Sequence, residues 1–205
     1  MSTRGILSLD HRFIVSVVAY SASNRPDVVP KIAREAVEKV GPSIFPKLRE
    51  ALVKTAPLVG FPRTINSLRE MSAVAPKECM DVYARASDAT VDTQKRGREY
   101  FGKTYGKVTQ RVLDSMTNSS LDLANLAIDY AYGKVLSYSG VISPLETSFV
   151  IIAALIPLDV NPQLRGHLKG ALNHGASREE VMEVRSIALD IARQCGIQLT
   201  TVESL

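Results

Sequence analysis

Apolar residues recur at intervals of three and four along almost the whole chain, and alternating β-branched runs bounded by turn residues are nearly absent. This spacing gives each helix one apolar stripe. The pattern therefore predicts an all-α fold. One run, FVIIAALIPL from Phe149, is apolar on every side, and Pro157 interrupts it well before the ~20 residues that a membrane span needs. We expect this run to form a buried helix, and we predict no membrane association.

Short polar motifs mark helix ends in the second half of the chain. Ser143 is followed three residues later by Glu146, and Ser177 is followed at the same spacing by Glu180. In such a capping box the serine hydroxyl accepts a hydrogen bond from a free amide of the first turn, and the glutamate accepts one from the serine amide. We therefore predict that helices start at both serines and that one ends at Gly175, which tolerates a positive φ.

Two stretches of the chain share one plan. HRFIVSVVAYSASNRPDVVPKIAREAVEKVGPS begins at His11, and ETSFVIIAALIPLDVNPQLRGHLKGALNHGAS begins at Glu146. Each contains an apolar helix, a junction with Asn and Pro, a second helix and a stop with Gly and Ser, and a third helix then ends at Gly60 or Gly196. A unit of about 50 residues is too small to bury its apolar faces alone. We predict two degenerate three-helix units that bury these faces by packing as a pseudo-twofold pair or through oligomer contacts.

The boundaries follow from this plan. Residues 1–75 form the first unit, residues 76–118 form connecting helices, and residues 119–205 form the second unit, all within one compact domain. The stretch from Asp88 to Lys107 is interpreted as a solvated connecting helix or linker, with phosphate binding as the alternative. Its cationic side chains are Lys95, Arg96, Arg98, Lys103 and Lys107.

Composition and net charge limit the classes of molecule that the protein is expected to bind. The chain has 205 residues, 45% of them hydrophobic, and its net charge is +4, from 25 Lys and Arg against 21 Asp and Glu. This content suffices for a substantial core, whereas the charge is far below that of a dedicated nucleic-acid binder. We expect a weak preference for small anionic molecules and no nucleic-acid partner.

The cysteines and the residues at the two ends of the chain are the sequence features that relate to the cellular compartment. Cys79 and Cys195 form no Cys-x-x-Cys pair, so neither a redox couple nor a thiolate metal site is predicted. The start lacks a secretory apolar region with a cleavage site, and the final ESL is distantly similar to the peroxisomal address SKL. We expect an intracellular protein, in the cytosol or in the matrix of peroxisomes or mitochondria, and not a secreted one.

The second unit resembles the carboxymuconolactone decarboxylase family, an all-helical superfamily that also contains the alkyl hydroperoxidase D proteins. The resemblance lies in AALIP, in the run H-x-x-G-A-L-N-H-G-A-S from His167, and in the EEVMEV helix behind it. GFPRTINSL is similar to the family's G-F-P-x-x-x-N segment, so the likeness covers roughly residues 11–73 and 100–196. It implies association into trimers or hexamers. We predict no metal and no cofactor.

The resemblance separates two chemistries. The peroxidase branch uses Cys-x-x-Cys-x-x-x-His with a glutamate on the preceding helix. Here His167 holds the histidine place, but the cysteine places hold Val160 and Gln163, and the glutamate place holds Ser148. Without either sulfur there is no nucleophile, so we predict that the protein is not a thiol peroxidase.

The decarboxylase branch needs no cysteine. Its chemistry implies that His167 gives or takes a proton and that Arg165 or Lys169 binds a substrate carboxylate. Because a phenol combines an apolar body with a polar tip, Tyr132 is a further candidate, at the mouth of the pocket. The family's usual arginine is Leu145 in this chain. Two hypotheses follow: a lyase acting on a small anionic or lactone substrate, and a catalytically silent oligomeric binding or scaffold protein in which His167 is structural.

Neighbours of His167 have competing interpretations. We expect His174, in the last turn of its helix, to be structural and to bind free carbonyl groups near the negative end of the helix dipole. Gly166 and Gly170 share one face of the helix and either allow another helix to approach closely or leave room for a ligand. Packing is the expected role for this pair. It is also the alternative role for Tyr132 and for its neighbours Tyr130 and Tyr138.

Overall fold

The computed structural model describes residues 6–79, 83–200 and 202–205. Within these ranges the chain forms helices and turns and contains no strand, so the all-α prediction is confirmed. The α-helices are α1 (Leu9–Ala22), α2 (Val29–Val40), α3 (Ile44–Val59), α4 (Phe61–Ser72), α5 (Thr93–Tyr105), α6 (Thr109–Ser119), α7 (Leu121–Asn125), α8 (Pro144–Leu155), α9 (Asn161–Asn173) and α10 (Arg178–Gln194). Short 3₁₀ turns span Pro26–Val28, Ala84–Thr90 and Gly106–Val108, and a π-helix spans Leu126–Leu136.

The helices α1 to α3 and α8 to α10 form two matching units. Helix α1 packs on α8 at the centre, α1 also packs on α10, and α8 packs on α3. Within each unit the first helix contacts the second and the third. Exchanging the two units leaves this set of contacts unchanged, as a pseudo-twofold pair requires. The two degenerate three-helix units predicted from the sequence are therefore confirmed.

The turns of the two units match as well. Positive φ angles occur at three equivalent pairs of positions: Asn24 and Asp159, Gly41 and Gly175, and Gly60 and Gly196. The first pair follows the apolar helix, and the other two follow the second and third helices. Asn and Asp tolerate the left-handed region better than other residues with a side chain, and Gly adopts it freely. The same three changes of direction therefore shape both units, and the helix end predicted at Gly175 is confirmed.

Both predicted capping boxes are present. The Ser143 hydroxyl accepts from the Glu146 amide at 3.1 Å, and the Glu146 carboxylate accepts from the Ser143 amide at 2.7 Å. The matching distances at Ser177 and Glu180 are 3.1 Å and 2.8 Å. Each box satisfies two amides that a helix start would otherwise leave free. These boxes fix the starts of α8 and α10.

Helix α8 is the centre of the core. Every residue from Glu146 to Leu155 is buried, because α1, α3, α9 and α10 surround it. The predicted buried helix at FVIIAALI is confirmed. In the part of the chain that the structure describes, no helix combines the length and the apolar character that crossing a bilayer requires.

Helix α5 corrects one prediction. Gly97, Tyr100, Phe101 and Thr104 are buried at helical spacing and face the π-helix and α9. A Cβ atom at Gly97 would lie only 2.7 Å from the backbone of Gly133 in the π-helix. The interpretation of this stretch as a solvated connecting helix or linker was therefore wrong. Its cationic residues other than Arg96 are exposed, and Arg96 donates to the Gly133 carbonyl and the Ser137 hydroxyl at 3.0 Å each. These charges obscured an inner face of small and aromatic side chains.

A buried lysine ends the π-helix. Lys54 of α3 is fully buried, and its ammonium group donates to the carbonyl oxygens of Val135, Leu136 and Tyr138 at 3.0, 2.9 and 2.6 Å. The last carbonyls of a helix lack partners within it and carry partial negative charge. The ammonium group therefore caps the π-helix from the first unit.

The charge of Lys54 is compensated nearby. Burial lowers the pKa of Lys54 to about 7, and the Glu50 carboxylate, 3.7 Å away, opposes that change. Glu50 is itself held by both terminal nitrogens of Arg85 at 3.0 and 2.6 Å. This ion network joins α3 to the π-helix and thereby fixes the backbone that carries Tyr132.

Candidate functional site

His167 lies on the inner face of α9, near the middle of the helix. Only 7% of the residue is exposed, whereas Arg165 and Lys169 are exposed on the outer face. Residues two apart on a helix point about 200° away from each other. The site must therefore be assembled from His167 and from the elements that cover α9 on its inner side.

Two tyrosines extend from His167 as a hydrogen-bonded chain. The Nε2 atom of His167 is 3.3 Å from the hydroxyl of Tyr105, which is 3.2 Å from the hydroxyl of Tyr132. The ring of Tyr105 also meets the imidazole edge to face, with 5.7 Å between ring centroids. Three elements, α9, α5 and the π-helix, thus bring three titratable groups into one line.

All three groups are neutral at neutral pH. Burial, with a smaller contribution from His174, lowers the pKa of His167 to about 4. Burial raises the pKa of Tyr105 and of Tyr132, and the hydrogen bond from Tyr132 partly offsets the rise at Tyr105. A neutral imidazole and two neutral phenols each donate one proton and accept another, so the chain can pass a proton in either direction.

His174 is structural, but its partner differs from the expected one. Its Nε2 atom lies 2.9 Å from the Thr104 hydroxyl, which already donates to the Tyr100 carbonyl at 2.8 Å. The hydroxyl proton is used, so Nε2 of His174 carries the proton and donates. The ring stacks on Tyr100, with 4.6 Å between centroids, and burial lowers the pKa of His174 to about 4. The expected contact of the His174 ring with free helix carbonyls was wrong, because Nε2 instead contacts Thr104 of the covering helix α5.

The glycines of α9 allow that covering helix to approach. A Cβ atom at Gly166 would lie 3.0 Å from the Tyr105 ring, and one at Gly170 would lie 2.7 Å from the Thr104 methyl group. Packing, the expected role of this pair, is confirmed. The close approach of α5 to α9 is what places the phenol of Tyr105 on His167.

The two predicted anion-binding residues, Arg165 and Lys169, lie on the protein surface and not beside His167. Arg165 pairs with the carboxylate of Glu203 in the C-terminal segment, and its side chain is 64% exposed. Lys169 is exposed on the same outer side of α9. The structure brings Tyr132 to His167 through Tyr105, and it does not bring Arg165 or Lys169 there. Their roles in substrate binding stay predictions.

Tyr105 is the site residue that the sequence did not reveal. It ends α5, in the stretch interpreted as solvated, and its side chain is half-buried. The available signal was the aromatic spacing of Tyr100, Phe101 and Tyr105, which places aromatic side chains on one side of a helix. Of the other tyrosines, Tyr138 is buried and Tyr130 is partly exposed.

Polar side chains on α8 face the same cluster. Ser148, in the family's glutamate place, donates to the Pro144 carbonyl at 3.0 Å, and Thr147 donates to the Ser143 carbonyl at 2.9 Å. Their hydroxyls reach the Tyr100 phenol and act to lower its pKa, while burial raises it more. No carboxylate stands at this position, so the site relies on neutral groups.

No metal-ligand cluster accompanies the site in the described ranges. Among these residues, no three His, Cys, Asp or Glu side chains converge as a metal ion would require. Cys79 and Cys195 are free thiols, and the Cys79 sulfur donates to the Pro42 carbonyl at 3.2 Å.

A separate surface groove lies on α7 and the π-helix. It encloses about 410 Å³ and is lined by Asp122, Asn125, Leu126, Asp129 and Tyr130. All five residues come from one helical face, and Tyr130 also contacts the ring of Phe61. The groove is open and mixed in character, and it lies on the outer side of the element that carries Tyr132.

A family model and a bacterial enzyme are both similar to part of this chain. The model of the carboxymuconolactone decarboxylase family matches residues 122–198. A 4-carboxymuconolactone decarboxylase of Acinetobacter baylyi is 33% identical over 92 residues, which cover 44% of this chain and 67% of that protein. The residues matched by the family model contain α9 with His167 and α10.

Two fungal relatives match more of the chain. Peroxisomal protein 2 of Schizosaccharomyces pombe is 71% identical over 194 residues, covering 95% of this chain and 91% of that protein. Peroxisomal protein 2 of Saccharomyces cerevisiae is 36% identical over 176 residues, covering 74% of this chain and 62% of that protein. The chain therefore spans less than two thirds of the Saccharomyces cerevisiae relative.

Proposed function

The chain belongs to the carboxymuconolactone decarboxylase family, and from this premise we propose that it is a lyase acting on small anionic lactone acids. The observation that supports this best is the hydrogen-bonded chain from Tyr132 through Tyr105 to His167. A chain of three titratable groups in a largely buried site is suited to moving a proton.

The reaction defines what the site must do. When carbon dioxide leaves a carboxylate conjugated to a lactone, the carbon–carbon bond breaks and its electron pair enters the conjugated system as a dienolate. The dienolate then takes one proton on carbon. The enzyme must stabilise the negative oxygen and control this proton. Both tasks require hydrogen-bond donors that are shielded from water.

The three residues divide the second task. His167, with its pKa lowered by burial, is neutral and holds one ring proton that it can pass to Tyr105, which in turn can pass its own proton to Tyr132. The phenol of Tyr132 contacts the substrate and gives its proton to the dienolate carbon after carbon dioxide has left. The proton lost to the product is replaced along the chain from His167, and finally from solvent. Arg165 and Lys169, on the outer face, attract the anion to this side of the protein.

Carbon dioxide release from carboxymuconolactone tests the proposal. The wild type should release it, and His167→Gln or Tyr105→Phe should lower kcat by about 10² or more, because each breaks the proton chain. Tyr20→Phe is the matched control, because the Tyr20 hydroxyl of α1 is exposed and donates to the side chain of Gln194 of α10 at 3.3 Å, away from the site. Equal release by the wild type, both variants and a sample without protein would reject the lyase.

One observation favours a second function. His167 and Tyr132 are both almost fully buried, and Ser148 stands where the family's glutamate would stand. A catalytically silent oligomeric binding or scaffold protein would keep such a packed core without needing its chemistry. The same assay separates the two functions, because a scaffold would bind partners or ligands and show no turnover.

We also propose that the chain associates with copies of itself as a trimer or hexamer. Large apolar side chains remain exposed on α4, α7 and the π-helix, and exposed apolar patches commonly mark interfaces. They are Phe61, Ile65, Leu121, Leu123 and Leu126, each more than half exposed. Light scattering coupled to size exclusion should give three or six times the mass of one chain, and a monomer would reject association.

The names of the two fungal relatives support a peroxisomal location for this chain. A fluorescent protein joined ahead of residue 1 should coincide with a peroxisomal matrix marker in yeast cells. A diffuse or mitochondrial signal would contradict this proposal.

A further inference from the structure

The hydroxyl group of Tyr100 is unpaired in the middle of the candidate site. Tyr100 is 8% exposed, and its hydroxyl oxygen is buried without a hydrogen-bond partner among the described residues. Buried hydroxyl groups in folded proteins almost always have a partner, and exceptions call for an explanation such as a ligand or an ordered water. Packing does not require this oxygen, because phenylalanine would provide the same ring.

Two hydroxyl groups of α8 are the polar neighbours of this phenol. Ser148 and Thr147 donate their protons to the carbonyls of Pro144 and Ser143, so only their oxygen lone pairs face Tyr100. Neither oxygen reaches hydrogen-bond geometry with the Tyr100 hydroxyl. Among the described residues, the phenol proton therefore has no acceptor at hydrogen-bond geometry and is available to a bound oxygen.

The unpaired donor lies beside the proton chain. The Tyr100 ring is 6.3 Å from the Tyr132 ring and stacks on His174 at 4.6 Å, measured between centroids. The Nδ1 atom of His174 is also buried without a partner among the described residues, and it is an acceptor, because Nε2 donates to Thr104. Two stacked rings thus hold one unused donor and one unused acceptor next to Tyr132.

We propose that Tyr100 is a substrate-binding residue whose hydroxyl donates to a carboxylate or lactone carbonyl oxygen next to Tyr132. This inference rests on the proposed lyase function, and it names the group that contacts the oxygen of the substrate. A buried phenol is a strong neutral donor to an oxyanion, because no water competes with it. Tyr100 thereby supplies on α5 a polar contact that α8 lacks at Ser148.

The test compares Tyr100→Phe with Tyr20→Phe. Carboxymuconolactone is the substrate, and saturated 5-oxotetrahydrofuran-2-carboxylate is a probe that lacks the conjugation needed for reaction. Tyr100→Phe should raise KM for the substrate and Kd for the probe about tenfold or more, as expected for a lost hydrogen bond to a charged acceptor. Tyr20→Phe should leave both values unchanged. His167→Gln should instead lower kcat and leave Kd for the probe near that of the wild type.

The outcomes separate this inference from the proposed function. Turnover by the wild type with unchanged KM and Kd in Tyr100→Phe would overturn the role of Tyr100 and leave the lyase standing. Probe binding that Tyr100→Phe weakens, without turnover by any variant, would overturn the lyase and retain the binding role. Absence of both binding and turnover in the wild type would overturn both.

Thermal unfolding provides a readout that is independent of activity. Without ligand, Tyr100→Phe should be at least as stable as the wild type, because it removes an unpaired donor from the core. With the probe present, the wild type should gain a larger increase in Tm than the variant. A variant that is less stable without ligand would show that the hydroxyl is already paired in the free protein, with α8 or with an ordered water, and it would overturn the inference.

Discussion

The two three-helix units share a frame but differ in what covers their second helix. In the first unit α4 packs against α2 and α3, and its inner side chains are Thr64, Ser67 and Met71. The two hydroxyls are satisfied, since Thr64 lies 3.0 Å from Thr55 and Ser67 donates to Ser21 at 2.8 Å. In the second unit α5 covers α9 with tyrosines, and polar atoms remain unpaired there.

This difference shows that the duplicated frame does not itself make a site. Similar helix lengths and the same positive φ positions recur in both units. Among the described residues, the hydrogen-bonded chain of titratable groups forms where an aromatic helix lies over a histidine and where glycines allow that helix to approach closely. The first unit still contributes, because its buried Lys54 caps the π-helix that carries Tyr132. Three predictions follow from this division of roles.

Lys54→Met should have the largest effect on stability. The variant keeps most of the buried volume but leaves three carbonyl groups at the end of the π-helix without their donor. Removing one partner from a buried ionic network typically costs about 3–5 kcal/mol of unfolding free energy. Urea unfolding followed by circular dichroism measures the loss.

Lys39→Met is the matched control for Lys54. Lys39 is exposed on α2 and pairs with Glu35 one turn away at 2.6 Å. Exposed pairs of this spacing contribute only about 0.5 kcal/mol or less. Similar unfolding midpoints for the two lysine variants would contradict the capping role assigned to Lys54.

Acid should destabilise the second unit through its histidines. The native pKa of His167 and of His174 is about 4, against 6.5 for the free side chain. Between pH 4 and 6.5 the two histidines therefore bind protons in the unfolded chain but not in the native protein. Stability is therefore complete above pH 6.5 and is lost as the pH falls toward 4. For His167 the full loss is about 3 kcal/mol.

The variant His167→Gln isolates this effect. Its unfolding free energy should fall less steeply than that of the wild type between pH 6.5 and 4, when both are measured by urea titration at each pH. Carboxylates contribute equally to both proteins and cancel in the comparison. Parallel curves for the two proteins would show that His167 is already protonated in the native state at these pH values.

Much of the frame was predictable because its signals are local. The capping boxes at Ser143 and Ser177 act within four residues, and Gly175 ends a helix through its own φ angle. The apolar run in α8 predicts a buried helix from its composition alone. The position of His167 on a helix behind AALIP also follows from these local signals, together with the family resemblance.

The site itself depends on tertiary contacts that no local pattern encodes. Tyr105 meets His167 only because Gly166 admits its ring, and this contact joins residues 62 positions apart. Lys54 resembles a surface residue of an amphipathic helix until the π-helix places three carbonyls above it. The π-helix itself has no sequence signature of the kind that caps provide. The sequence also suggested Arg165 as a neighbour of His167, whereas helical periodicity directs it outward.

The closeness of α5 to the second unit can be tested with two glycines of the same helix. Gly97→Ala places a Cβ atom 2.7 Å from the backbone of Gly133, which cannot move aside as a side chain could, so a loss of about 1–3 kcal/mol in unfolding free energy is expected. Gly102 has open space around its Cβ position, and Gly102→Ala should gain about 0.5–1 kcal/mol from higher helix propensity. Urea unfolding of both variants gives the two signs directly. If both substitutions stabilise the protein, α5 does not pack against the π-helix as closely as the site requires, and the contrast between the covered units would lose its structural basis.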